Sequence, residues 1–205
     1  MNAMWLRVMS YLTDILDVIP AAVAAGCVYL PVRLLRVRRG AARRTRGQEA
    51  ARLLLVCYLA ALLALTWVPA NFWSMAWAKL FRGYQDAIRV AWLGGAFSLR
   101  PFFLDGGRFS WQMGANVLLY LPLGVLLPLV WRETRWWTAA GAGLALSLAT
   151  ELFQPIVGRS FDVDDLLTNA LGALAGYGLL AIVRLLVRAA ERGRNGRGEG
   201  DAGSL

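Results

Sequence analysis

Charged residues are spaced so unevenly along this chain that they divide it into blocks. Val18 to Val32 carries no charge between Asp17 and Arg33, and Ile15, Leu16, Leu34 and Leu35 extend it to spanning length, with Pro20 and Pro31 near its ends. Leu53 to Ala78 is charge-free, and Leu53 to Phe72 reads as its spanning part. Phe109 to Trp131, Trp136 to Phe153 (interrupted by Glu151) and Leu166 to Val183 follow. A bilayer core about 30 Å thick needs roughly 20 apolar residues per helical span. The pattern predicts five such helices. Between the second and third, Trp77, Leu80, Phe81, Tyr84, Ile88 and Trp92 recur at helical spacing among Lys79, Arg82, Asp86 and Arg89. That segment is expected to be an amphipathic helix on the outer face, lying on the membrane or capping the bundle. The fold class is all-α, a polytopic transmembrane helical bundle.

Composition agrees. Of 205 residues, 58% are hydrophobic and 17% charged, against about 45–50% and 25% in soluble domains. The chain has no histidine, which removes Ser/His/Asp and Cys/His catalysis and the commonest metal ligand. Cys27 and Cys57 lie in apolar runs and imply no disulfide framework. Ala24, Ala25, Gly26 and Cys27 loosely resemble a lipoprotein cleavage site, but Asp14 and Asp17 precede them where a signal peptide carries positive charge. No cleavage is expected there.

The basic residues add an orientation. Arg33, Arg36, Arg38, Arg39, Arg43, Arg44, Arg46 and Arg52 lie between the first two spans, Arg132 and Arg135 between the third and fourth, and Arg184, Arg188, Arg192, Arg194 and Arg197 after the fifth. Five spans put all three segments on one side. The excess of arginine marks that side as cytoplasmic, which places the N-terminus outside and the C-terminus inside the cell membrane. Arginine beside apolar spans is a topology signal that also attracts anionic headgroups, so nucleic acid is not an expected partner. The chain divides into an N-terminal span with its basic loop (1–52), a transmembrane domain (53–187) and a basic tail (188–205) expected to be disordered.

Few polar side chains enter the apolar spans. Gln112, Asn116 and Tyr120 share one face of the third, Glu151 and Gln154 one face of the fourth, and Asp165, Asn169, Gly172 and Gly176 one stripe of the fifth. Arg159, Asp162, Asp164 and Asp165 lie in the connection between the fourth and fifth spans. With the orientation above, these groups lie toward the outer ends of their helices; Asn116 is roughly 12 Å down its helix from Arg108 at ~1.5 Å per residue. A carboxylate at membrane depth is costly and pairs or faces a wet cavity, and Arg159 is the expected partner for Glu151 or the aspartates. Each group also has a structural reading. Asp162, Asp164 and Asp165 surround a helix N-terminus, where caps and acids are stabilised. Gly172 and Gly176 allow close helix packing, or a homodimer through that face. Pro122 is expected to kink the third span.

The string Asn116-Val-Leu-Leu-Tyr120-Leu-Pro122-Leu-Gly124 resembles the N-x-x-x-F-x-P-x-G segment of VanZ-like membrane proteins, with tyrosine where phenylalanine is more usual. Glu151 to Gln154, then Arg159, Asp162 to Asp165 and Asn169 to Tyr177 resemble the rest of that signature, and Leu99-Arg100-Pro101-Phe102 the P-F that precedes it. The resemblance covers about Thr66 to Val183. It implies a link to low-level resistance to the lipoglycopeptide teicoplanin without altered cell-wall precursors.

Two functions compete. The first is a non-enzymatic cell-envelope protein of a bacterium. Its outward polar cavity, formed by Asn116, Glu151, Gln154, Arg159, Asp162, Asp164, Asp165 and Asn169, would bind an envelope lipid, a lipid-linked cell-wall intermediate, a lipoglycopeptide or a partner protein, with no cofactor. The second is a membrane-embedded enzyme in which Glu151, Asp162, Asp164 and Asp165 ligate a hard divalent ion acting on a lipid headgroup. The sequence offers no activated nucleophile or phosphate loop for it. A transporter would need a repeat or a broken helix, and neither is evident.

Overall fold

The computed structural model describes residues 3–40, 45–68, 72–83, 95–99, 101 and 110–202. Among them are six α-helices: α1 (Ala3–Arg38), α2 (Arg46–Thr66), α3 (Phe72–Arg82), α4 (Trp111–Val130), α5 (Trp136–Phe153) and α6 (Val163–Ala202). All but α3 are long and apolar enough to cross a membrane. The second span is shorter than its charge-free run: it ends at Thr66, and Phe72 begins α3. Trp77, Leu80 and Phe81 lie on α3, which stops at Gly83 with φ 67°; Tyr84, Ile88 and Trp92 lie outside the described residues. So do Arg100 and Phe102 of the expected Leu99–Phe102 motif.

Proline breaks none of these helices. α1 runs unbroken through Pro20 and Pro31, and α4 through Pro122 and Pro128. In transmembrane helices, neighbouring groups and local adjustments re-satisfy the backbone that proline frees. α6 continues to Ala202, through the segment expected to be a disordered tail.

The tightest packing joins α4 to α6. A Cβ added to Gly172 would collide with the Val117 carbonyl, one on Gly176 with the Leu121 carbonyl, and one on Gly124 with the Ala173 carbonyl. Backbone therefore meets backbone along the whole crossing, as small residues permit in a bilayer. α5 closes on the same seam, where a Cβ on Gly143 would approach that of Ala173 to 2.6 Å. The Gly172/Gly176 face is thus occupied by α4, and a homodimer through it would have to displace that helix. Leu55, Leu62, Tyr120, Leu123, Leu126 and Val130 form the core beside this seam. α2 docks onto α4 through the Tyr58 hydroxyl, which donates to the Leu119 carbonyl at 2.9 Å.

Helix direction sorts the two ends of the bundle. One end holds the α1–α2 turn, where Arg33 pairs with Glu49 at 2.6 Å, the Arg132/Arg135 turn, and Arg184, which donates to the Pro128 carbonyl at 3.0 Å. The other end gathers the C-termini of α2 and α5 with the N-termini of α4 and α6. The expected polar residues belong to this second end.

Candidate functional site

The site is built on the turn between α5 and α6. After Phe153 the chain tightens into a 3₁₀ turn, Gln154–Val157, and Gly158 at φ 75° reverses it. Glycine suits that left-handed position because it has no Cβ to clash. Phe161–Asp162 (β2) then pairs in parallel with Phe97–Ser98 (β1), with the Phe161 N–H donating to the Ala96 carbonyl at 2.9 Å. Gly95 fits against the turn so closely that a Cβ there would strike the Arg159 carbonyl. The turn is therefore laid back over the end of α5.

That fold-back sets the role of each carboxylate. Glu151 is 1% exposed, and its Oε2 accepts the Asp162 N–H at 2.8 Å. Turned about its amide, Gln154 donates to the same Oε2 at 3.3 Å and to the Ser160 carbonyl at 2.9 Å. Asp162 caps α6: its Oδ1 accepts the Asp164 N–H at 2.9 Å, satisfying one of the open donors of a helix N-terminus. Asp164 and Asp165 occupy the first turn, where acids complement the helix dipole. Asn169, 4% exposed, donates from Nδ2 to Ser147 Oγ at 2.9 Å and thereby ties α6 to α5.

Arg159 does not pair as the sequence suggested. Its Nη1 donates to the Leu65 carbonyl at 2.8 Å, closing the C-terminal end of α2. A helix end leaves its last carbonyls without intrahelical donors, and the guanidinium meets one of them. Arg159 still lies within electrostatic reach of Glu151 and Asp165.

The three helices do converge. Asn116 of α4 faces the Asp165 carboxylate of α6 closely enough to act on it. Tyr120 of α4, 1% exposed, lies beside Ser147, Thr150 and Glu151 of α5. Gln112, expected on the same face, is exposed at the end of α4 and stands apart. Among the described residues, four buried polar atoms in this zone complete no hydrogen bond: Asn116 Nδ2, Tyr120 OH, Glu151 Oε1 and Asn169 Oδ1. Such groups are rare in native interiors, where buried donors and acceptors find partners. The two grooves found elsewhere on the described residues do not open onto this zone.

Ser147 and Thr150 extend the site beyond the expected residues. The signal was present, since 147, 150, 151 and 154 are three, one and three apart and share one face of α5 and its extension. Thr150 also receives the Trp67 indole N–H at 3.4 Å, and Trp67 stacks on Phe153 with ring centroids 4.6 Å apart. No group of three or more acids is arranged to hold a metal ion among the described residues. Glu151 and Asp162 instead face backbone donors, so the divalent-ion reading of the four acids has no geometric support.

These features define a class: a multi-pass helical membrane protein whose last three spans close around a buried carboxylate and amide cluster at one end. The VanZ/LLP1 family model matches residues 55–184, and the chain belongs to that family. No curated protein and no solved structure matches it.

Proposed function

We propose that this is a bacterial cell-envelope protein with its N-terminus outside and its C-terminus in the cytoplasm. Its buried cluster engages the polar head of an outer-leaflet amphiphile, a lipid-linked cell-wall intermediate or a lipoglycopeptide, and so contributes to teicoplanin tolerance. One observation carries this reading. Glu151 Oε1, Asn169 Oδ1, Asn116 Nδ2 and Tyr120 OH come from three helices and, among the described residues, complete no hydrogen bond in one zone. A purely structural knot would satisfy its own members, because a half-satisfied buried network is worse than an apolar one. Donors and acceptors are both present, which suits a headgroup bearing hydroxyl and amide groups. The orientation is supported by the arginine-rich opposite end, and the family supports the link to glycopeptides.

The double variant Glu151→Gln and Asp165→Asn tests it. It should insert normally and lose teicoplanin tolerance when expressed in a susceptible host. Unchanged tolerance in a variant verified to reside in the membrane contradicts the proposal.

A further inference from the structure

A second site lies at the opposite, basic end. A cleft of about 250 Å³ between the C-terminal part of α4 and α6 is lined by Pro128, Tyr177, Leu180, Ala181, Arg184 and Arg188. We propose that this cleft binds the phosphate headgroup of an anionic phospholipid from the adjacent leaflet.

The argument begins with Arg184. One of its five N–H donors is fixed on the Pro128 carbonyl at 3.0 Å, near the end of α4. That bond orients a planar guanidinium beside the cleft, and its other donors take no acceptor among the described residues. Arg188 follows one turn later on the same face of α6, so two cations flank a single opening. Two guanidinium forks bind phosphate oxygens in the geometry that favours arginine at such sites. The cleft is smaller than the roughly 300–1,000 Å³ of a pocket for a whole small molecule. It holds a headgroup while the acyl chains remain along the apolar flank of Leu180 and Ala181.

Depth agrees. Trp131, Trp136 and Trp137 are exposed at the α4–α5 turn on this same end, and Arg135 lies 4.9 Å from the Trp137 ring centre. Exposed tryptophans settle at the headgroup level of a bilayer. The opening between Arg184 and Arg188 therefore meets lipid phosphates and not the hydrocarbon core.

Full-length protein in phosphatidylcholine nanodiscs doped with phosphatidylglycerol provides the test, with lipid retention read by native mass spectrometry. The wild type should retain phosphatidylglycerol over phosphatidylcholine. Arg188→Gln, which breaks no internal hydrogen bond of the described residues, should lower that retention about tenfold, the loss of one charge-assisted hydrogen bond. Arg192→Gln removes the same charge outside the cleft and should leave retention unchanged. Equal loss in both variants would reduce the effect to diffuse charge and overturn the site. Equal retention of the two lipids would overturn it as well, and displacement of the lipid by millimolar inorganic phosphate would assign the cleft to free phosphate instead.

Discussion

The α1–α2 hairpin and the α4–α6 unit are both made of apolar antiparallel helices, yet they pack very differently. Between α4 and α6, glycines let backbone touch backbone, and α5 seals the seam. Between α1 and α2, a Cβ on Gly26 would meet the side chains of Cys57 and Leu53 rather than backbone, and an open groove of about 510 Å³ is lined by Ala24, Val28, Tyr29, Val32 and Val56. Most of the described large apolar side chains of α1 are exposed. Lipid is as apolar as leucine, so apolarity places a helix in the membrane without drawing it to a neighbour; close approach and polar ties do that. The VanZ/LLP1 match begins at Leu55, within α2, and leaves α1 outside. The tightly packed part is the part that carries the site.

The largest effect should come from breaking the seam. Gly172→Leu or Gly176→Leu sets a side chain against a carbonyl that cannot yield, and should cost about 3 kcal/mol or more. Thermal unfolding in detergent reads the loss. Gly178→Ala, on the same helix but with open space around it, should be neutral or stabilising by up to about 1 kcal/mol. Equal damage from both changes would refute the packing argument.

Next comes Glu151. Glu151→Ala leaves the buried Asp162 N–H without its acceptor and should destabilise by about 1–3 kcal/mol, whereas Glu151→Gln keeps an acceptor oxygen and should lose less. Hydrogen exchange at the Asp162 amide reports the difference directly. Tyr58→Phe removes the tie from α2 to the Leu119 carbonyl, which should cost about 0.5–1.5 kcal/mol. Arg33→Gln should have the least effect on unfolding, because the partly exposed pair with Glu49 is screened by solvent.

The bundle was legible in the sequence because a charge-free apolar run of spanning length matches the thickness of a bilayer core and is far longer than an ordinary buried strand or core helix requires. The face shared by Glu151 and Gln154, and the stripe through Asp165 and Asn169, followed from helical period alone. Period says which residues share a face, but not which backbone group another element leaves open. Charge alone therefore matches Arg159 to carboxylates, whereas its hydrogen bond goes to the Leu65 carbonyl at the end of α2. The fold-back of Phe161 and Asp162 over Glu151 depends on the pairing with Phe97 and Ser98, a contact between segments remote in sequence. Ser147 and Thr150 share the Glu151 face, but hydroxyls in a span usually bond their own helix, so period alone does not assign them to the site.

Side-specific labelling tests the central claim most directly. With Cys27 and Cys57 replaced by alanine, Ser160→Cys presents one exposed thiol on the turn above Glu151, and Arg192→Cys one beyond the basic end. A membrane-impermeant maleimide applied to intact cells should label position 160 and leave position 192 untouched until the cells are opened. Labelling of 192 with protection of 160 would put the cluster on the cytoplasmic side and contradict the account.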